Sequence, residues 1–342
     1  MRDVLLVSAM SVLIVLSVFV LKSIAPVLFP FYFVYIIVGV LAFLVFSNIG
    51  FEVTSIFSKH FYVISIFLLI LTLIIGKVTR GTVRWIPIGA FTLQAAEVVR
   101  PFLLVFFSGY LTQKAVDVKS FFSASTLLAI PAILILVQPS FGVTVLTVVG
   151  FLGVLISSKF DKKHIFWGLL GFLVLLPTVW LTMAPYQRGR VLTFLDPASD
   201  PLGAGYNSLQ STISVGSGKL TGMGLGRGIQ TQLSFLPEKQ TDFVFAAVAE
   251  ELGFVGVMLM LSAVFVIFWR LTVYMENAVN PAARAYVSGL FLTLLAQVFV
   301  HVGMNLGMLP ITGLPFPLVS AGGSSFLATM TGLGIAVGAH KK

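Results

Sequence analysis

The sequence contains no cysteine and few charged residues: 10% of its 342 residues are charged, and only 12 residues are acidic. The absence of cysteine excludes a disulfide framework, a cysteine-ligated zinc site and a thiol nucleophile. An ordinary soluble domain has about 25% charged residues, so the low charge also argues against that class. The net charge of +9 comes from basic residues scattered between apolar stretches. No nucleic-acid partner is expected, because such proteins usually carry a basic block or face.

Long uncharged stretches occupy much of the chain. A helix that crosses about 30 Å of hydrocarbon needs roughly 20 apolar residues. Three uncharged stretches have about this length or more: Val4–Leu21, Pro26–Phe51 and Ile165–Gln187. Two others, Ser120–Ser158 and Ala285–Ala339, are each long enough for two helices. The sequence therefore predicts an all-α polytopic membrane protein.

Turn residues divide these stretches into about ten predicted transmembrane helices. The helices lie near residues 3–22, 27–48, 60–76, 93–113, 120–137, 141–158, 164–184, 242–270, 283–308 and 321–340. We expect a single domain, 1–342, in which residues 185–241 form one long extracytoplasmic loop between the seventh and eighth helices. A long ordered loop in a compact domain is usually functional.

Basic residues indicate the orientation, because positive charge collects in short cytoplasmic loops. With the N-terminus inside, eleven Lys and Arg lie on the cytoplasmic side and nine on the outside. Eight of those nine fall within residues 77–84 or 185–241, so the other short outer loops follow the rule. We predict a multi-pass protein with both termini in the cytoplasm. The two basic outer segments are candidate functional surfaces, with lipid head groups and an anionic substrate as expected partners.

One glycine-rich run in the long loop is similar to a nucleotide-binding motif. Gly216–Lys219 resembles a fragment of a phosphate loop, but Ile213 stands where a glycine is required and Leu220 replaces the Ser or Thr. We interpret the run as a loop with tight turns, and no organic cofactor is expected.

Charged residues inside a predicted span are candidate functional residues, because each costs about 2.5–3.5 kcal/mol on insertion scales. Glu97 and Arg100 are three residues apart, which puts them on one helical face where they can pair. Asp242 lies at the outer mouth of the eighth predicted helix, and Glu250 and Glu251 lie deeper in it.

Each of these residues also has a structural interpretation. Glu97 and Arg100 would then be an ion pair that braces two helices, and Asp242 would cap a helix start. Pairing with a basic residue of a neighbouring helix is the favoured interpretation of Glu250 and Glu251. For His301, within the ninth predicted helix, a buried and hydrogen-bonded core residue is expected.

Together these residues would surround a cavity that opens outward. Cationic groups beside one partly buried carboxylate suit an anionic substrate with a hydroxyl group, for which the carboxylate would be the general base. Arg, Lys or a divalent cation would stabilise a phosphate leaving group. The residues alone leave transporter, flippase and transferase as open alternatives.

Five segments resemble motifs of the SEDS family of cell-wall glycosyltransferases, which includes RodA and FtsW. They are GTVRWIPIG (81–89) followed by Gln94 and Glu97; Gln138-Pro139 with Gly142; FLDPASDPLGAGYNSLQS (194–211); FLPEKQTDFVFAAVAEELGFVG (235–256); and GMNLGMLPITGLPFPLVSAGGSSFL (303–327). The resemblance covers nearly the whole chain from about residue 80 onward. GAGYN (203–207) and TQLSFLPE (231–238) are more similar to RodA than to FtsW.

The resemblance implies an enzyme of the bacterial inner membrane that polymerises lipid II into glycan strands during elongation and cell-shape maintenance. Undecaprenyl pyrophosphate would leave with inversion, and a class B penicillin-binding transpeptidase would be the protein partner. The alternatives are a lipid II flippase, an FtsW-type division enzyme and a non-catalytic scaffold that only recruits the transpeptidase.

The resemblance also assigns roles to individual residues. Asp242 matches the essential aspartate of the family and would be the catalytic base or a ligand of Mg²⁺ or Mn²⁺. The residues expected to bind substrate are Glu97, Arg100, Arg84, Lys239 and Arg188. This sequence departs from the family pattern at six positions: Ala95-Ala96 replaces Pro-Ser, Arg100 replaces Lys, Ser140 replaces Asp, His301 replaces Asn and Ala321 replaces Tyr.

Overall fold

A computed structural model describes residues 3–79, 82–89, 91–112, 118–158, 163, 185–196 and 203–340. The helices in these ranges are α1 (Val4–Ile24), α2 (Phe29–Asn48), α3 (Phe51–Ile56), α4 (Ser58–Ile75), α5 (Ala95–Val98), α6 (Arg100–Thr112), α7 (Val118–Val137), α8 (Phe141–Ser157), α9 (Pro185–Leu195), α10 (Ala204–Ser217), α11 (Ile229–Gln232), α12 (Val244–Glu276), α13 (Pro281–Asn305) and α14 (Gly323–His340). The strands are β1 (Lys77–Thr79), β2 (Thr82–Ile88) and β3 (Phe91–Leu93).

Seven helical stretches in the described part of the chain are long and apolar enough to cross a membrane. They are α1, α2, α4, the stretch formed by α5 and α6, α7, α12 and α13. The apolar helix α8 is shorter, and α14 has 18 residues. Large apolar side chains such as Ile37 and Phe67 are exposed, as expected where a helix contacts lipid. The predicted polytopic helical fold is confirmed, while its seventh helix, 164–184, lies outside the described residues.

A small antiparallel sheet in the order β1–β2–β3 precedes α5, where a loop and a helix starting at residue 93 were predicted from the sequence. β-Branched and aromatic residues favour strands, and they dominate TVRWIPI (82–88) and FTL (91–93). The chain therefore enters its next helix at Ala95, two residues later than predicted. Arg84 lies on β2 and not in a loop.

The segment 185–241 is not one continuous loop, because it contains α9, α10 and α11. The buried face of α10 includes Ser211 and Ser214, both with no exposed surface. Small hydroxyl residues give no apolar periodicity, which is the main signal by which a helix is recognised in a sequence. The Ser211 hydroxyl donates to the backbone carbonyl of Asn305 at 2.8 Å and so attaches α10 to the end of α13.

Close contact between small residues places α13 against α8. A methyl group at Gly153 would lie 2.7 Å from the carbonyl oxygen of Ser288, and one at Gly150 would lie 2.5 Å from the Thr293 hydroxyl. Membrane helices commonly pack through such residues, since lipid supplies little hydrophobic drive for association.

Helix α12 is broken at Gly253, which has φ +65° and ψ −164°. This backbone region is essentially restricted to glycine. A break in a helix leaves backbone groups without their intrahelical partners, and because Gly253 is buried, other parts of the protein must satisfy them. Residues 219–224 do this. The bonds run from Met223 N to Glu250 O (2.9 Å), Gly224 N to Glu251 O (2.9 Å), Phe254 N to Lys219 O (2.9 Å) and Val255 N to Leu220 O (3.1 Å).

Replacing Gly253 with alanine is expected to destabilise the folded protein. This backbone region costs a non-glycine residue on the order of 1–3 kcal/mol, and the new methyl group would lie 2.2 Å from the Gly222 amide nitrogen. Thermal unfolding in detergent should show a lower midpoint for Gly253→Ala. The matched control is Gly216→Ala, because Gly216 lies in α10 with open space around it. Equal midpoints for the two variants would contradict this interpretation of the break.

Candidate active site around Asp242

Asp242 lies just before α12, which begins at Val244 with Phe243 at the N-cap. The side chain of Asp242 is half-buried. The backbone amide of Ala246, in the first turn of the helix, donates a hydrogen bond to the side-chain oxygen of Asn305 at 3.0 Å. Another helix therefore supplies part of the cap of α12.

Three consecutive backbone carbonyls, those of residues 240–242, accept hydrogen bonds from distant parts of the chain. The Ala321 amide donates to the first at 2.8 Å. The Ser320 hydroxyl donates to the second at 2.7 Å, and the Asn305 side-chain amide donates to the third at 3.0 Å. We call these three donors the 240–242 clamp. The clamp fixes the backbone that carries the Asp242 side chain.

The Asp242 carboxyl group lies beside Gly313, in the segment Pro310–Pro317. A methyl group built on Gly313 would be 3.4 Å from Asp242 Oδ2. Gly313 is exposed and has φ +72°, a conformation that favours glycine. The carboxylate is therefore adjacent to an exposed turn, where a substrate hydroxyl could approach it.

A buried polar stripe on α13 holds the Pro310–Pro317 segment in place. Gln297, His301 and Asn305 are four residues apart, which puts them on one helical face, and none has exposed surface. The Gln297 side-chain amide donates to the carbonyl of Pro315 at 2.8 Å. His301 Nδ1 lies 2.7 Å from the carbonyl oxygen of Leu314. His301 is thus a buried, hydrogen-bonded core residue, in agreement with its structural interpretation.

Glu97 and Arg100 form the predicted ion pair, and both side chains are buried, with 2% and 6% of their surface exposed. Arg100 also approaches the Gln297 side-chain oxygen, with Nη1 at 3.4 Å and Nη2 at 3.5 Å. Beside Arg100 is a cavity of about 10 Å³, large enough for about one water molecule and far too small for a sugar. This geometry favours a bracing role, while substrate binding by the pair stays a prediction.

Glu250 and Glu251 were predicted to pair with a basic residue of a neighbouring helix, but their hydrogen bonds go to residues 226–232 and to α1. Glu250 accepts from the backbone amides of Gln230 at 2.7 Å and Thr231 at 3.0 Å, at the start of α11. Glu251 accepts from the Ser23 hydroxyl at 2.6 Å. It also accepts from Gly226 N (3.1 Å) and Gln232 Nε2 (2.9 Å). The two glutamates therefore attach the loop to the bundle.

Besides Arg100, the three cations predicted to bind substrate lie in different parts of the chain. Lys239 precedes Asp242 by three residues and donates to the carbonyl of Thr231. Partial burial lowers the pKa of Lys239, and the nearby Glu251 and Glu250 act in the opposite direction. Arg84 and Arg188 are half-buried on β2 and α9.

Asn305 and Ser320 were not predicted from the sequence as individual functional residues. Both fall within the motif at 303–327. The resemblance of that motif to a family does not show which backbone groups these two side chains contact. A signal was present for Asn305, because three polar residues at intervals of four in an apolar span predict one polar face. No comparable signal identified Ser320.

The fold and this site define a polytopic helical membrane protein with one half-buried carboxylate at the start of a broken helix. The family model described as "Cell cycle protein", FtsW/RodA/SpoVE, matches residues 2–342. The chain is 36% identical over 313 residues to the peptidoglycan glycosyltransferase MrdB of Escherichia coli K12, which covers 89% of this chain and 83% of that protein. The chain belongs to the FtsW/RodA/SpoVE family, and the resemblance found in its motifs is confirmed.

Two solved structures are similar over almost the whole chain. One is a chain from a peptidoglycan synthase complex that coordinates polymerization and crosslinking; it has a TM-score of 0.85 and 30% identity, and covers 98% of this chain and 96% of that one. The other is the rod shape determining protein RodA of Thermus thermophilus, with a TM-score of 0.73 and 25% identity, covering 98% of this chain and 95% of that one.

Proposed function

We propose that this chain is a peptidoglycan glycosyltransferase that polymerises lipid II, with Asp242 as its general base. The observation that carries the proposal is the 240–242 clamp, which fixes a half-buried carboxylate beside the exposed Gly313. A relative named as a glycosyltransferase of the same class supports the reaction type.

In the proposed reaction, the Asp242 carboxylate accepts the proton of the 4-hydroxyl group of the acceptor sugar. The hydroxyl oxygen attacks the anomeric carbon of the donor, and the bond from that carbon to the undecaprenyl pyrophosphate oxygen breaks with inversion. The proton stays on Asp242 until water removes it, and the pyrophosphate leaves as an anion. Lys239, Arg84 and Arg188 are the proposed cations for that leaving group.

Loss of the Asp242 carboxylate is expected to abolish polymer formation from purified lipid II while the protein still folds. General-base catalysis contributes typically 10²–10⁴-fold, so the rate should fall by at least about 10²-fold in Asp242→Ala and in the isosteric Asp242→Asn. Gel analysis of the glycan products measures this.

The matched control for this assay is Glu52→Gln, which neutralises an exposed carboxylate on α3. It should polymerise lipid II normally. Normal polymer yield from Asp242→Ala would overturn the assignment of the base. If that variant instead polymerised normally but lost lipid II translocation in proteoliposomes, the flippase alternative would be favoured.

A divalent cation would fit this site only together with substrate. Within the described ranges, no group of three or more His, Asp or Glu residues could hold a metal ion alone. Mg²⁺ is often bound by one or two carboxylates plus substrate phosphates, and Asp242 offers one carboxylate. We propose that Asp242 would be the protein ligand of Mg²⁺ or Mn²⁺, and the ion would supply positive charge to stabilise the pyrophosphate leaving group.

Chelation is expected to lower the rate of polymerisation, and added Mg²⁺ should restore it. Because the ion is proposed to need substrate phosphates, Mg²⁺ alone should leave the unfolding temperature of the lipid II-free protein unchanged. Full activity in excess EDTA would contradict the need for an ion and leave Lys239, Arg84 and Arg188 to stabilise the leaving group.

We propose that the enzyme acts in cell elongation, with a class B penicillin-binding transpeptidase as partner. The RodA-like segments 203–207 and 231–238 support this role over that of an FtsW-type division enzyme. The similar chain in a peptidoglycan synthase complex supports a protein partner. Restoration of rod shape, and not of division, in cells that lack their own elongation polymerase tests the assignment.

The proposed topology has both termini in the cytoplasm and Asp242 on the outer side of the bacterial inner membrane. Because the chain has no cysteine, single cysteines can report it. A membrane-impermeant maleimide added to intact spheroplasts should label Leu225→Cys, in the loop, and label Asn277→Cys, at the far end of α12, only after permeabilisation. Both side chains are exposed. The reverse pattern would contradict this topology.

A further inference from the structure

Two residues outside the proposed chemistry control the backbone on both sides of Asp242. The carbonyl of residue 241 belongs to the peptide unit before the Asp242 Cα atom, and the carbonyl of Asp242 belongs to the unit after it. Ser320 binds the first and Asn305 binds the second. Because peptide units are planar, fixing both leaves the φ and ψ angles of Asp242 little freedom.

We propose that Asn305 and Ser320 are positioning residues that aim the Asp242 carboxylate at the acceptor hydroxyl. This inference rests on the proposed role of Asp242 as the base. Neither residue needs to touch the substrate, since each acts through the backbone.

Both polar atoms of the Asn305 side-chain amide make hydrogen bonds. Its nitrogen donates to the carbonyls of Asp242 at 3.0 Å and His301 at 2.8 Å, and its oxygen accepts from the Ala246 amide at 3.0 Å. The side chain has no exposed surface. It therefore joins α13, the start of α12 and the residue just before that start in one rigid unit.

Ser320 connects Asp242 to the turn on its other side. The hydroxyl group of Ser320 donates to the carbonyl of Thr241 at 2.7 Å and accepts from the Phe316 amide at 2.8 Å. Phe316 belongs to the Pro310–Pro317 segment that places Gly313 against the carboxylate. One hydroxyl thus sets the position of the base relative to the exposed turn.

The expected consequence of losing either residue is a slower chemical step with unchanged substrate binding. A misplacement of about 1 Å in a reacting group can cost on the order of 10²-fold in rate. In the full-length purified protein, Asn305→Ala and Ser320→Ala should therefore lower kcat for lipid II polymerisation by about 10- to 100-fold. KM should stay within about twofold of the native value, because the lost interaction acts only in the transition state.

The matched control is Thr329→Val, which removes another buried hydroxyl group. That hydroxyl donates only within its own helix, to the carbonyl of Ser325 on α14 at 2.8 Å. We expect native kcat in Thr329→Val and reduced kcat in Ser320→Ala. This difference would show that the effect comes from a misplaced Asp242 carboxylate and not from the loss of any buried hydrogen bond. Thermal unfolding midpoints of all variants complete the comparison.

The possible results distinguish failure of the positioning role from failure of the proposed function. If Asp242→Ala is inactive while Asn305→Ala and Ser320→Ala keep native kcat, the positioning role is wrong and the proposed base stands. If Asp242→Ala polymerises lipid II normally, the proposed function itself fails. A loss of activity that appears in KM, an equal loss in Thr329→Val, or failure of both positioning variants to fold would also overturn the positioning role.

Discussion

Residues from distant parts of the chain hold the peptide units on either side of Asp242. The surrounding helices are arranged so that these residues can reach them. Ser320 can reach the chain there only because the Pro310–Pro317 segment folds back along α13. That segment is held in turn by Gln297 and His301. The chain of contacts continues from Gln297 to Arg100, so the buried Glu97–Arg100 ion pair helps to hold the residue that supports this segment.

The same physical rule explains the break in α12. In a bilayer, an unpaired backbone group costs several kcal/mol, so irregular backbone persists only where other parts of the protein satisfy it. The break at Gly253 is covered by residues 219–224, and Glu250 and Glu251 bind the next part of the loop through amide and hydroxyl donors. The loop is therefore fixed to the membrane bundle at the helix that follows Asp242.

Much of this fold was predictable because membrane spans have a strong signal in composition and length. The apolar runs, the Glu97–Arg100 pair and the family were all recognised from the sequence. The small sheet was missed because apolar and basic residues near the span obscured the strand pattern of TVRWIPI (82–88). The helices of the long segment were missed because the face that α10 buries includes serines such as Ser211.

The contacts around Asp242 were beyond prediction for a different reason. Hydrogen bonds between residues 241 and 320, or 242 and 305, join positions about 60 to 80 residues apart, and a single sequence carries no record of such distances. The structure also explains how one departure from the family pattern can be tolerated. Ala321 stands where tyrosine is usual, yet the 240–242 clamp uses only its backbone amide.

The most direct test is an experimental structure of the full chain with a non-reactive lipid II analogue in the acceptor position. We expect an Asp242 carboxylate oxygen within about 2.6–3.2 Å of the acceptor 4-hydroxyl oxygen, with both flanking carbonyls still bound by Asn305 and Ser320. A carboxylate turned away from the acceptor while those two hydrogen bonds stay intact would contradict the account.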